Sequence, residues 1–149
     1  MFNTLISTEE LASRLGAHEI VICDVRHDLA QPDTWGEAQY RECHVPGAVF
    51  VHLDRDLSAL LTGRNGRHPL PSPETAAATF ARLGIAPGKQ VVAYDQGAGA
   101  YAARLWWMLR WLGHDAVAVL DGGFAKWKGE ERPLAAGVET PQPAPFAIQ

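Results

Sequence analysis

One short glycine-rich stretch lies between an apolar run and a helical pattern; its residues are Asp95, Gln96, Gly97, Ala98, Gly99 and Ala100. In α/β enzymes a loop between a strand and a helix directs backbone N–H groups and the positive end of the helix toward one point. Such a loop suits an anion or an anionic nucleophile. Because its first residue is Asp95, it offers a carboxylate where a thiolate would be favoured. We predict that Asp95 is a structural carboxylate at the start of a helix and not a nucleophile.

The two cysteines do not supply the missing nucleophile. Neither Cys23 nor Cys43 belongs to a CxxC pair or to a Cys/His cluster with the spacing of a zinc site. Cys23 lies in an apolar run beside Asp24, and both burial and a neighbouring carboxylate raise a thiol pKa. Cys43 precedes His44, but adjacent side chains of an extended segment point in opposite directions. We expect two free, unactivated thiols, no metal and no cofactor.

Length and charge narrow the class of protein. A chain of 149 residues with 47% hydrophobic residues is long enough for one domain with a substantial core. The formal charge of −4 argues against nucleic acid or an anionic membrane surface as a partner. No apolar run approaches the roughly 20 residues of a membrane span, and the N-terminus is acidic where a signal peptide is basic. These features predict a cytoplasmic protein.

Strand and helix patterns alternate along the chain. Apolar runs predict strands over 19–25, 48–51, 91–94 and 116–120, and helical spacing predicts helices over 7–15, 73–83, 100–112 and 124–127. Alternation of this kind predicts an α/β fold with a central parallel sheet flanked by helices on both faces. The helix over 100–112 is apolar almost all round, so we expect neighbours to cover it on more than one side.

Two segments fall outside this pattern. Residues 54–71 form a long polar loop that contains Arg67 and His68, and loops of this length are uncommon unless they are functional. From residue 132 the chain carries four prolines, which cannot sustain a helix or an inner strand. We therefore predict a domain over 1–131 and an extended tail or interdomain linker over 132–149.

Six segments together resemble the rhodanese family, and most closely the N-terminal half of its two-domain thiosulfate and 3-mercaptopyruvate sulfurtransferases. They lie in the family's order and cover nearly all of the chain: VICDVR at 21–26, HVPGAVFVHLDRDLS at 44–58, HPLPSPE at 68–74, VVAYDQGAG at 91–99, AARLWWMLRWLGH at 102–114 and VAVLDGGFAKW at 117–127. Active domains of this family carry a cysteine directly after the central strand, where this chain has Asp95. First domains of the two-domain members have generally lost that cysteine.

The resemblance implies a degenerate active-site loop over 95–100 and no catalytic residue in this chain. The parent protein would transfer a sulfane sulfur from a small anionic donor, thiosulfate or 3-mercaptopyruvate, through a cysteine persulfide on a C-terminal rhodanese domain of the same chain. Arg67 and His68 would help to line the pocket of that partner domain, whereas without it His68 would be a solvent-facing loop residue. This chain alone is expected to be inactive.

Two other functions are compatible with a rhodanese-like fold. Related phosphatases use a Cys-x5-Arg motif, but here Asp95 replaces the cysteine and Tyr101 replaces the arginine, which argues against that activity. A free-standing inactive module that binds a partner protein or an anion remains the alternative. Finding a second domain with a cysteine loop beyond Gln149 would distinguish the two.

Overall fold

Five parallel strands form the centre of the computed structural model, which describes residues 1–149. The strands lie in the order β1-β5-β4-β2-β3. Their bounds are Leu5–Ile6 for β1, Ile20–Asp24 for β2, Val49–Phe50 for β3, Gln90–Tyr94 for β4 and Val117–Leu120 for β5. Every adjacent pair is parallel. This arrangement confirms the predicted parallel α/β sheet.

Helices cover both faces of the sheet. Their bounds are Thr8–Ala12 for α1, Trp35–Glu42 for α2, Leu53–Asp56 for α3, Pro73–Arg82 for α4, Ala100–Trp111 for α5 and Gly123–Gly129 for α6. Side chains of α3, α4 and α5 share one buried cluster with alternate residues of the inner strands. Side chains of α1, α2 and α6 share a second cluster with the intervening strand residues. Because successive strand residues point to opposite faces, the sheet has a core on each side.

The helix starts follow the sequence signals. The Ser7 hydroxyl accepts the Glu10 N–H at 3.1 Å, and the Ser72 hydroxyl accepts the Thr75 N–H at 3.1 Å. Pro73 occupies the first turn of α4, where its missing N–H costs nothing. These side chains satisfy N–H groups that have no partner inside the helix, which explains why α1 and α4 begin at these residues.

Several elements differ from the sequence prediction. Helix α1 ends at Ala12, short of the predicted end at residue 15. Strand β1 and helix α2 were not predicted, and α3 occupies the start of the segment predicted as a loop over 54–71. Helix α5 is also less covered than predicted, because Trp107 is 47% exposed and stacks on Trp111 at 5.7 Å between ring centroids. Two stacked indoles shield each other, so the pair tolerates partial exposure.

The proline-rich segment 132–149 has no helix and lies against the rest of the chain. Its Glu139 carboxylate bonds the ring of the buried His44 at 3.0 Å and the Gly47 N–H at 2.7 Å. Further along, Phe146 packs on Phe80 at 5.2 Å between ring centroids. Both charged and apolar contacts therefore hold this segment. In the structure, no helix has the length and apolar character needed to cross a membrane.

Candidate functional site

The candidate site lies at the carboxyl ends of neighbouring parallel strands, where α/β proteins place their ligands. Asp95 directly follows β4, and His27 follows β2, the strand beside it. The Gln96 side chain joins the two loops, because its Nε2 donates to the His27 carbonyl at 2.6 Å and its Oε1 accepts the His27 N–H at 3.3 Å. The loop that the sequence singled out therefore contacts the loop that follows β2.

The Asp95 carboxylate accepts four backbone N–H groups. Oδ1 accepts those of Gly97 and Gly99, each at 3.0 Å, and Oδ2 accepts those of Tyr101 at 3.0 Å and Ala102 at 3.1 Å. The residue is only 1% exposed. A charged acceptor at the start of α5 suits N–H groups that lack partners within the helix. The N–H groups that could bind an anion in this loop are therefore already bonded to the Asp95 carboxylate.

Glycines allow the chain to fold around this carboxylate. Gly99 has φ +87° at the start of α5, a conformation that other residues rarely adopt. A Cβ on Gly123 would lie 2.9 Å from the Asp95 carbonyl oxygen and 2.9 Å from Gly97 Cα.

The remaining members of the predicted loop are partly or fully exposed, and Ala100 already belongs to α5. None of residues 96–100 brings a cationic side chain to the loop.

A buried polar network supports the ends of β2 and β4. The Arg26 guanidinium binds the Asp24 carboxylate at 2.7 Å and also donates to the Cys43 carbonyl at 2.6 Å. The Tyr94 hydroxyl donates to Asp24 at 2.8 Å, and burial together with this carboxylate raises the tyrosine pKa well above its ordinary value. Because every member has a partner, the network holds both strand ends in place.

His68 pairs with a carboxylate that the sequence did not single out. Its Nδ1 lies 2.9 Å from Asp54 Oδ1, and both side chains are about one-third exposed. The structure gives no hydrogen bond to His68 Nε2, so that atom remains available to a ligand. Both residues line an open cleft of about 1340 Å³ that also includes Arg67, Arg55 and His27. Arg67 and His68 thus line the same cleft of this chain.

Two further histidines lie beside this pair and were not recognised from the sequence. The His27 ring packs edge-on against three rings: His52 at 5.6 Å, His68 at 6.4 Å and Tyr101 at 5.3 Å between centroids. Both His27 and His52 are at least 96% buried, and the Nε2 atom of each has no hydrogen-bond partner. The segments that carry these rings are distant in sequence, so only the sheet order brings them together.

Three side chains of this cluster are close enough to be considered as metal ligands, but only two of them can serve as ligands. Potential ligand atoms of His27, His52 and Asp54 lie within 4.8 Å of one another. However, His52 Nδ1 accepts the N–H groups of Asp54 and Arg55 at 3.1 and 3.2 Å and caps α3. With Nδ1 acting as an acceptor, the proton of the neutral ring lies on Nε2, which then donates and does not ligate. His27 and Asp54 alone make an incomplete set for a structural metal.

The buried His27 makes stability depend on pH. Burial lowers its pKa below the ordinary value, so between the two values the unfolded chain binds more protons than the folded one. We expect the free energy of unfolding to decrease as the pH falls through about 6.5. Urea unfolding at about pH 7.5 and about pH 5.5 measures this change. His27→Asn should weaken the dependence and His18→Asn should preserve it; equal dependence in all three proteins would contradict this account.

The two cysteines lie outside the cleft. Cys23 is fully buried in β2, and burial, with added effects of Asp24 and Asp56, raises the pKa of its thiol to about 12. Cys43 ends α2, and its side chain is partly exposed. A thiol that keeps its proton is a poor nucleophile, so Cys23 is an inert core residue.

Comparison with known proteins assigns the family. A model of the rhodanese-like domain matches residues 7–130 of the chain. The chain belongs to the rhodanese family. A probable 3-mercaptopyruvate sulfurtransferase of Pseudomonas aeruginosa is 44% identical over 147 residues, and a putative thiosulfate sulfurtransferase of Mycobacterium tuberculosis is 42% identical over 139. These alignments cover 97% and 93% of this chain but only 51% and 48% of the relatives.

Solved structures of the family show the same fold. The Escherichia coli 3-mercaptopyruvate sulfotransferase SseA superposes with a TM-score of 0.85 at 31% identity. The 3-mercaptopyruvate sulfurtransferase from Leishmania major gives 0.84 at 32% identity. Nearly all of this rhodanese chain is covered, 99% and 97%, against 57% and 39% of those two chains. The chain therefore spans about half the length of the curated relatives it matches.

Proposed function

We propose that this chain is the non-catalytic N-terminal domain of a two-domain thiosulfate or 3-mercaptopyruvate sulfurtransferase. The observation that carries the proposal is the Asp95 carboxylate, whose four N–H bonds fill the loop that follows the central strand. The relatives' names and lengths support the rest, since this chain matches about half of each. On this proposal residues 1–131 are the domain and residues 132–149 begin the connection to the second one.

Sulfur transfer requires a thiolate that the loop does not contain. In the proposed reaction a cysteine thiolate of the second domain attacks the outer sulfur of thiosulfate, or the thiol sulfur of 3-mercaptopyruvate, and becomes a persulfide. The S–S bond of thiosulfate breaks with release of sulfite. The C–S bond of 3-mercaptopyruvate breaks with release of the enolate of pyruvate, which takes up the proton lost by the donor's thiol and becomes pyruvate. An acceptor thiolate or cyanide then takes the outer sulfur. A carboxylate cannot carry sulfur in this way, so the role we propose for Asp95 is only to hold the loop in its fold.

The pair Asp54–His68 is the contribution we propose for this domain. Asp54 accepts the Nδ1 proton at 2.9 Å, which fixes the ring, lines the cleft with it and leaves Nε2 without a protein partner. When this ring is protonated on both nitrogens, the Asp54 carboxylate balances its charge, and the Nε2–H can donate a hydrogen bond or a proton to an anionic group. With Arg67 beside it, the edge of the cleft suits the carboxylate of 3-mercaptopyruvate or the sulfonate of thiosulfate.

A two-domain chimera tests the proposal. We would join this chain to the C-terminal half of the Pseudomonas aeruginosa relative and measure sulfur transfer from both donors to cyanide. His68→Ala should lower kcat/KM for the donor by about 10- to 100-fold, because it removes a donor and a proton carrier from the pocket. The exposed His18→Ala serves as the matched control. Equal kcat/KM in the His68→Ala and parent chimeras, or full activity of the C-terminal half alone, would refute the proposal.

A further inference from the structure

Arg104 closes the base of the long loop that carries His68. Its Nη2 donates to the Leu57 carbonyl at 2.9 Å and to the His68 carbonyl at 3.0 Å. Those two residues lie at opposite ends of the loop. The Ala59 N–H adds a third closing bond to the Pro69 carbonyl at 2.7 Å. One side chain of α5 therefore ties together two points that are eleven residues apart.

The side chain of Arg104 has no hydrogen-bond partners other than these two carbonyl groups. None of the ion pairs in the structure includes Arg104, and its Nε is buried without a partner. Burial of a cation with only carbonyl partners costs free energy, which lowers the pKa of this arginine. All of its side-chain hydrogen bonds go to the loop.

The loop needs such a closure because it has little support of its own. Residues 60–67 are exposed, and their side chains bond only within the loop. A segment of this kind samples many conformations unless its ends are fixed. His68 lies at the end of it, and Asp54 meets His68 only if the backbone of residue 68 stays in place.

We propose that Arg104 is the positioning residue for His68: it holds the His68 carbonyl so that Nδ1 meets Asp54 and the ring lines the cleft. His52 positions Asp54 in the same way, because its Nδ1 accepts the Asp54 N–H and caps α3. The importance of this geometry for a sulfur donor rests on the proposed function, whereas the geometry itself can be tested on this chain alone.

The test is nuclear magnetic resonance of the isolated chain with ¹⁵N-labelled histidine. In the parent protein the His68 ring should show a protonated Nδ1 in its neutral form, and Asp54→Ala, which leaves no acceptor for that proton, should remove the preference. Arg104→Met should remove it as well, and the Ala59 amide should exchange with solvent at least about tenfold faster. Arg110→Met, which alters an arginine of the same helix that pairs with Asp115 and not with the loop, should change neither signal.

Arg104→Lys keeps a cationic donor on a shorter side chain and should give intermediate signals. It also serves as the test variant if the methionine variant does not fold. Unchanged His68 nitrogen shifts and Ala59 exchange in folded Arg104→Met and Arg104→Lys would overturn the proposal. Because no sulfur donor is present, this result is separate from the outcome with the chimera: Arg104 can fail as a positioning residue while the sulfurtransferase proposal stands, and the reverse.

Discussion

Asp95→Ala is expected to lower the free energy of unfolding by at least about 3 kcal/mol, because four N–H groups would lose a charged acceptor at once. Each buried donor left without a partner costs about 1–3 kcal/mol, and water entering the loop recovers part of that cost. Urea denaturation measured by far-ultraviolet circular dichroism gives the difference between the two proteins.

Asp121→Ala is the matched control for this experiment. Asp121 is an exposed carboxylate close to the start of α6, and the structure gives its side chain no hydrogen bond. We expect it to change stability by no more than about 0.5 kcal/mol. If the two alanine variants lose the same small amount, the Asp95 carboxylate does not hold the loop, and the account of the degenerate site is wrong.

The sequence predicted the fold well because its signals are local. β2 and β4 are short apolar runs, and Ser72 followed by Pro73 marks the start of a helix without reference to other parts of the chain. The position of Asp95 was equally visible, since a glycine-rich turn between a strand and a helix has one common geometry. The resemblance to rhodaneses then indicated what the aspartate replaces.

The histidine cluster could not be predicted in the same way. His27 follows β2, whereas His52 and Asp54 follow β3, and they meet because these two strands pair in the sheet, which their separation in sequence does not reveal. His52 also acts as a helix cap, a place usually taken by Ser, Thr, Asp or Asn. Helix α3 was missed for that reason, and with it the partner of His68.

Strand β1 shows another limit of the sequence pattern. It has only two residues, and its pairing with β5 depends on Leu5 lying beside Val119 at the sheet edge. A two-residue strand has no periodicity to detect. The packing of residues 132–149 against the domain could not be predicted from the sequence either, because the contact of Glu139 with His44 joins residues that are 95 positions apart.

Asp95→Cys would place a thiol among the same N–H groups. These groups and the start of α5 favour the thiolate, so the pKa of the new cysteine should lie below that of an ordinary thiol. The neighbouring loop residues are partly exposed, which gives a small reagent access. We expect iodoacetamide to modify this cysteine faster than Cys23 or Cys43, as measured by peptide mass spectrometry over time. Modification no faster than that of Cys43 would show that the loop does not stabilise an anion.

The same variant should still fail as an enzyme. Catalysis requires the negative charge of the donor to be held beside the thiolate, and residues 96–100 contain no cationic side chain to do so. Asp95→Cys is therefore expected to turn over thiosulfate little better than the parent chain. Robust turnover would show that the loop lacks only its sulfur.

We expect this rhodanese domain to have no sulfur nucleophile of its own, and thiocyanate formation from thiosulfate and cyanide tests this most directly. The unmodified chain should form no thiocyanate above the rate without protein, and Cys23→Ser and Cys43→Ser should leave that result unchanged. Thiocyanate formed in proportion to the amount of protein, and persisting in a variant that carries both serine substitutions, would contradict the account.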